Sequence, residues 1–152
     1  MYRKISFIAV KTKFTLVTYL TFNGNAAEAF DFYKAALDGQ FTNVQRYGDG
    51  PQGAQLPDSE KKKIMHLDLE APNGVRLMGN DYVDFTGQPF SAGNNFSLSL
   101  HPDSEALTDK LYNALSDGGT VIMPLGKAPW GAYFGMFIDK FGIKWLINHQ
   151  YK

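Results

Sequence analysis

The sequence is 152 residues long, which suits one domain or two tightly fused half-domains. A chain of this size buries roughly 70% of its unfolded surface on folding, so it needs no disulfide or metal staple. It holds no cysteine, which excludes thiolate nucleophiles and cysteine-ligated zinc. Fifteen basic side chains balance fifteen acidic ones, which removes the electrostatic case for nucleic acid or an anionic membrane as partner.

Arg3 and Lys4, followed by an apolar run over residues 5–10, mimic a secretion signal. Lys11 and Lys13 cut that run to six residues, and no small-residue cleavage site follows closely. No stretch approaches the roughly 18 apolar residues of a spanning helix. Residues 1–15 are therefore expected to be an extension, and the protein to be soluble and cytoplasmic.

Residues 16–22 are β-branched and aromatic and predict a first strand. Asn25, with Glu28 three residues on, predicts a capped helix running to about Leu37, closed by Gly39 in the left-handed conformation. Residues 40–47 form a second strand, 48–63 a long loop, and 64–70 and 75–80 a hairpin. The irregular stretch 81–93 divides the chain into modules at about 16–81 and 93–149. A fifth strand is expected over 94–100. A helix capped by Asp103 should follow, running to about Ser116 with Leu107, Leu111, Ala114 and Leu115 inward. A sixth strand then covers 120–125. Residues 126–148 hold both tryptophans and read as two apolar strands joined by a tight turn at Asp139, Lys140, Phe141 and Gly142.

The halves repeat. An offset of 78 positions puts Leu20 on Leu98, Ala29 on Leu107, Asp31 on Asp109 and Leu37 on Leu115. An offset of 68 puts residues 74–78 on 142–146, the difference being absorbed by the longer 48–63 loop. The fold class is therefore α+β: two β-α-β-β-β modules packed into a curved, cup-like mixed sheet with helices outside.

This element order, with Asn23-Gly24-Asn25 opening the first helix, Leu77-Met78-Gly79-Asn80-Asp81, residues 95–100, Trp130-Gly131 and residues 139–145, resembles the PhnB-like branch of the vicinal oxygen chelate superfamily. That is the glyoxalase/bleomycin-resistance/dioxygenase fold, and the resemblance covers about residues 16–148. It implies a homodimer with a concave small-molecule pocket in each cup. Its enzymes are lyases, oxygenases or transferases, and members carry the label 3-demethylubiquinone methyltransferase-like. No glycine-rich nucleotide loop stands in this sequence to hold a methyl donor. The family's metalloenzymes take four His or Glu ligands from strands one, four, five and eight. Carried over, those positions fall on Val17 (or Thr18), Met78, Asn95 and Leu146. A catalytic ion needs about three anionic or imidazole ligands, so a divalent metal is compatible with the family but no ligand set and no other cofactor is expected here.

Among the residues themselves, His66 is the best proton acceptor if it faces the cup, and so the candidate catalytic residue; as a lone strand histidine it can equally be structural. His101 and His149 occupy connection and terminal positions. Asp81, at the end of strand four, is a candidate pocket-mouth carboxylate or a solvated turn residue. Asn95, Ser97 and Ser99 alternate with apolar residues and offer a small polar face. Trp130, Tyr133 and Phe134 would form an aromatic wall, with Lys144 and Asn148 as polar positions on the last strand. The expected function is small-molecule binding without the usual metal, the alternative an enzyme of the superfamily using a non-standard site.

Overall fold

The structure is a computed structural model describing residues 14–84 and 87–152; of the expected extension over residues 1–15, residues 1–13 lie outside the described residues. The first module holds β1 (Thr18–Phe22), α1 (Ala26–Ala36), β2 (Gln40–Arg46), a one-turn helix α2 (Asp58–Lys61), β3 (Ile64–Ala71) and β4 (Val75–Asp81). The second holds β5 (Leu98–Leu100), α3 (Glu105–Ser116), β6 (Thr120–Ala128), β7 (Ala132–Ile138) and β8 (Lys144–Gln150).

Each module makes a four-stranded mixed sheet of the same order, β1-β4-β3-β2 and β5-β8-β7-β6. In each, the first strand runs parallel to the last, Tyr19 beside Met78 and Ser99 beside Leu146. The expected repeat is thus present at the level of strand pairing. The backbone ladder is continuous within a module and stops between them, so the cup is built from two sheets rather than one.

Side-chain alternation divides each sheet into two faces. One face carries Leu20, Phe22, Leu67, Leu69, Leu77, Phe137, Trp145 and Ile147 into a common core with α1 and α3. The other, inner face carries Tyr19, Thr21, His66, Asp68 and Met78 in the first module and Ser99, Phe134, Met136, Leu146 and Asn148 in the second. The helices close against glycines. A Cβ at Gly79 would stand 2.5 Å from the Phe30 ring, and one at Gly135 2.7 Å from the Tyr112 ring.

The modules clasp each other reciprocally. The β7–β8 turn reaches the first module, where Phe141 packs edge-on against Phe22 at 6.5 Å. The β3–β4 turn, through Ala71 and Asn73, lines a cleft with Leu100, Pro102 and Leu111 of the second.

Local chemistry moved several boundaries. Asn25 precedes α1 but its side chain makes no cap hydrogen bond, and Asp81 accepts from the first helical N–H. Asp38, not Gly39, takes the left-handed conformation with φ 53°. Gly39 is needed for space, since a Cβ there would meet the Leu69 side chain at 2.9 Å. Ser104 rather than Asp103 caps α3, accepting from the Leu107 N–H. Leu107 is exposed, and Thr108, its hydroxyl donating to the Ser104 carbonyl, is the buried residue of that turn. The strand expected over 94–100 shortens to three residues, which leaves Asn95 and Ser97 on the connecting segment.

Candidate ligand site

Two buried carboxylates fix the geometry around the junction of the modules. Asp81, at the end of β4, accepts from the Ala26 N–H at 2.8 Å and from the Ile64 N–H at 2.7 Å. It is 2% exposed, and both oxygens are spent on backbone donors, so it ties β4 to the starts of α1 and β3. The reading of Asp81 as a pocket-mouth carboxylate is corrected accordingly. Asp139 opens the β7–β8 turn and is 3% exposed. One oxygen accepts from the Phe141 and Ile143 N–H groups, the other from the Tyr33 hydroxyl and the Trp145 indole at 2.7 and 2.8 Å. Burial, and then the Asp139 charge, push the Tyr33 phenol far above its ordinary value.

Beside these anchors lies a cavity of about 500 Å³. It is bounded by β1, the 90–96 segment and the β7–β8 turn, and the residues along it include the aromatic Tyr19, Phe22, Phe90, Phe96 and Phe141. Thr21, Asn23, Asn25 and Ser91 are polar residues along it.

Tyr19 connects this cavity to the inner face of the first sheet. Its hydroxyl lies 3.3 Å from His66 Nδ1, and burial, helped by Tyr47, raises its phenol above the ordinary value. Two residues along β3, Asp68 receives the Arg76 guanidinium through both Nε and Nη2. That bidentate contact holds its carboxyl below the usual carboxylate range. Thr21 donates to Asn80 Oδ1 at 2.8 Å on the same face. The inner face of the first module is thus a polar sheet surface on which Arg76 is shared between Asp68 and, at 3.8 Å, Glu70.

The other sequence candidates do not converge on one pocket. Phe134 and Asn148 are paired across β7 and β8, and Trp130, 57% exposed, packs edge-on against Phe134 at 5.4 Å. Ser99 shares that inner face but is engaged with His101 at 2.9 Å. Lys144 donates to the Asn94 carbonyl, pinning the connecting segment that carries Asn95 and Ser97. Tyr133 is corrected: its side chain lies on the helix side, where its hydroxyl donates to Asp109 of α3. His149 contacts the Pro102 carbonyl, tying β8 to the start of α3. Tyr19, Asn25 and Phe141 were missed as site residues, because nothing local in the sequence shows that the three meet.

The positions at which the family's metalloenzymes bind their ion do not fit one here. Val17 precedes β1, Thr18 stands in register with the buried Leu77, and Asn95 lies outside β5. The inner-face pairs at the matching registers are Tyr19 with Met78 and Ser99 with Leu146: phenol, thioether, hydroxyl and alkyl groups. Among the described residues no three His, Asp or Glu side chains come together as a metal site.

Residues 14–148 match the model of the 3-demethylubiquinone-9 3-methyltransferase family. The chain belongs to that family. It is 40% identical to protein PA1353 from Pseudomonas aeruginosa, whose crystal structure superposes with a TM-score of 0.79 over 91% of this chain and 98% of that one. A PhnB protein from Bacillus cereus, a putative member of the same family, is 27% identical with a TM-score of 0.72 over 88% and 98%. Protein YjdN of Escherichia coli K12 is 27% identical over 88% of this chain and 93% of its own. The fold is the one the resemblance implied, that of glyoxalase/bleomycin resistance/dioxygenase proteins. The fold likeness extends to a glyoxylase/bleomycin resistance protein/dioxygenase domain from Frankia, at a TM-score of 0.65 and 15% identity over 93% and 95%. No described helix is long and apolar enough to cross a membrane.

Proposed function

We propose that this chain is a small-molecule-binding member of the PhnB-like family that works without a metal held by its own side chains. The observation that carries the reading is the aromatic-walled cavity of about 500 Å³ between β1, the 90–96 segment and the β7–β8 turn. Its size falls within the roughly 300–1,000 Å³ of small-molecule sites, and its few polar groups among rings are what such sites use to orient a ligand. The donor types at the family's metal positions support the second half of the reading. Methyl transfer forms no part of the proposal, since the sequence offers no nucleotide-binding loop for a methyl donor. A homodimer and a cytoplasmic location complete it.

The test is elemental analysis of protein purified without chelator, beside protein dialysed against EDTA. The expected result is well below one divalent ion per chain and the same thermal midpoint in both samples. A stoichiometric ion that returns on re-addition and raises the midpoint would sink the reading.

A second reading, an enzyme of the superfamily using His66, is favoured by one observation: His66 and the Tyr19 hydroxyl meet at 3.3 Å beside the cavity. It requires turnover of a glyoxalase-type or dioxygenase-type substrate that His66→Ala abolishes. Full turnover in that variant removes His66 from any mechanism.

A further inference from the structure

We infer that the cavity selects an uncharged, flat ligand bearing an amide-like edge, and rejects the corresponding carboxylate and ammonium compounds. This inference deepens the binding reading above and rests on it.

Apart from the Tyr19 phenol, none of the lining side chains is ionisable; the wall is aromatic and aliphatic, with amides and hydroxyls between. A ligand charge placed there would lose water and gain no counter-charge, which is costly in a partly enclosed site. The charged groups of Lys140, Lys144, Asp139 and Asp81 stand next to lining residues, and each has a partner: the Lys140 ammonium lies over the Phe32 and Phe141 rings at 4.5 and 5.6 Å, and Lys144 donates to the Asn94 carbonyl. Asp139 is satisfied by four donors and Asp81 by two backbone N–H groups.

The N-terminus of α1 borders the cavity at Asn25, and such a terminus ordinarily attracts a negative group. Here the Ala26 N–H donates to Asp81, so the chain's own carboxylate occupies that position. An incoming anion would meet a negative charge where it needs donors.

Asn25 stands where an asparagine side chain normally caps the helix, yet it makes no cap hydrogen bond and instead lines the cavity. Its amide offers one acceptor and two donors. A ligand amide or lactam edge can donate to the first and accept from the second, while rings such as Phe96 and Phe141 cover its faces.

The test uses three bicyclic probes of one shape on the whole isotope-labelled protein at neutral pH: 2-naphthamide, 2-naphthoate and 2-naphthylmethylamine. The naphthamide is expected to shift the backbone amides of residues 19–25, 91–96 and 141–143, with a dissociation constant at least about tenfold below either charged probe. Equal binding of a charged probe at those residues overturns the selectivity and leaves the cavity standing as a ligand site. If no probe shifts those residues, the cavity reading itself falls. Asn25→Ala separates recognition from folding. Because Asn25 caps nothing, the variant should keep the wild-type thermal midpoint and lose about tenfold in naphthamide affinity. Undiminished affinity overturns the role of the amide.

Discussion

A single carboxylate can do more for a fold than a run of hydrophobic contacts, because a buried polar group without partners costs more than one with partners gains. Asp139 satisfies four donors from three elements. Asp139→Ala would strand the Tyr33 hydroxyl, the Trp145 indole and two turn N–H groups at once. The expected loss is roughly 3–5 kcal/mol, a fall in thermal midpoint on the order of 10 °C, measurable by calorimetry. Tyr33 gives the complementary test. Its folded value is raised above the unfolded value of about 10, so its contribution is whole below pH 10 and is lost as the pH rises further. Tyr33→Phe should therefore cost about 1–2 kcal/mol at neutral pH yet flatten the decline in stability above pH 10. Some slope will remain, since Tyr151, bonded to Glu105, is also pushed up, to about 12. An unchanged alkaline limb would show that Tyr33 is not the group responsible. The sequence shows Asp139 as an ordinary turn residue. Its partners lie as far as 106 positions away, a distance no local pattern reports. Asp81 was misplaced for the same reason, its spending on Ala26 and Ile64 being invisible before folding.

At the level of elements, periodicity carried most of the information. Strand one, both hairpins and the two long helices α1 and α3 were legible from alternation and helical spacing, whereas the single turn of α2 falls in the expected 48–63 loop; the Asp139–Gly142 turn was legible from its glycine, which adopts φ 89°. Ends were less legible where two residues compete for one role: Asp103 with Ser104 at a cap, Asp38 with Gly39 at a helix end. Face assignment failed where a strand was expected to continue, as at Asn95 and Ser97, and where a side chain could turn to a helix, as at Tyr133. What separates sheet–helix contact from open sheet surface is the room each glycine leaves. Gly79→Ala should push on the Phe30 ring and on the Leu20 carbonyl oxygen at 2.6 Å, and cost roughly 1–3 kcal/mol. Gly126→Ala meets nothing within 4 Å and should fall within about 0.5 kcal/mol of wild type. Denaturant titration of the pair checks this; equal effects would mean that α1 does not bear on β4 as closely as described.

For the whole molecule, the repeat raises the question of whether two modules make one folding unit or two. The strand order repeats faithfully and no backbone ladder joins the sheets, which taken alone favours independence. The side chains argue otherwise. Phe22 and Tyr33 of the first module and Phe137, Trp145 and Ile147 of the second belong to one buried cluster. The Tyr33 and Trp145 rings stand 5.8 Å apart, and the Lys140 ammonium lies 4.5 Å from the Phe32 ring centroid. Either module alone would leave that apolar surface bare, a cost that scales with the area returned to water. Both modules should therefore melt together. Both tryptophans lie in the second module, while β1 to β4 and α1 contribute half of the regular structure. Tryptophan fluorescence and far-ultraviolet circular dichroism should accordingly give one shared midpoint in urea. Phe141→Ala, which removes a contact crossing the modules, should move both traces by the same amount. A fluorescence transition that separates from the dichroism transition, in the parent or in the variant, would mean that the modules fold independently and that the junction cavity opens before the sheets do.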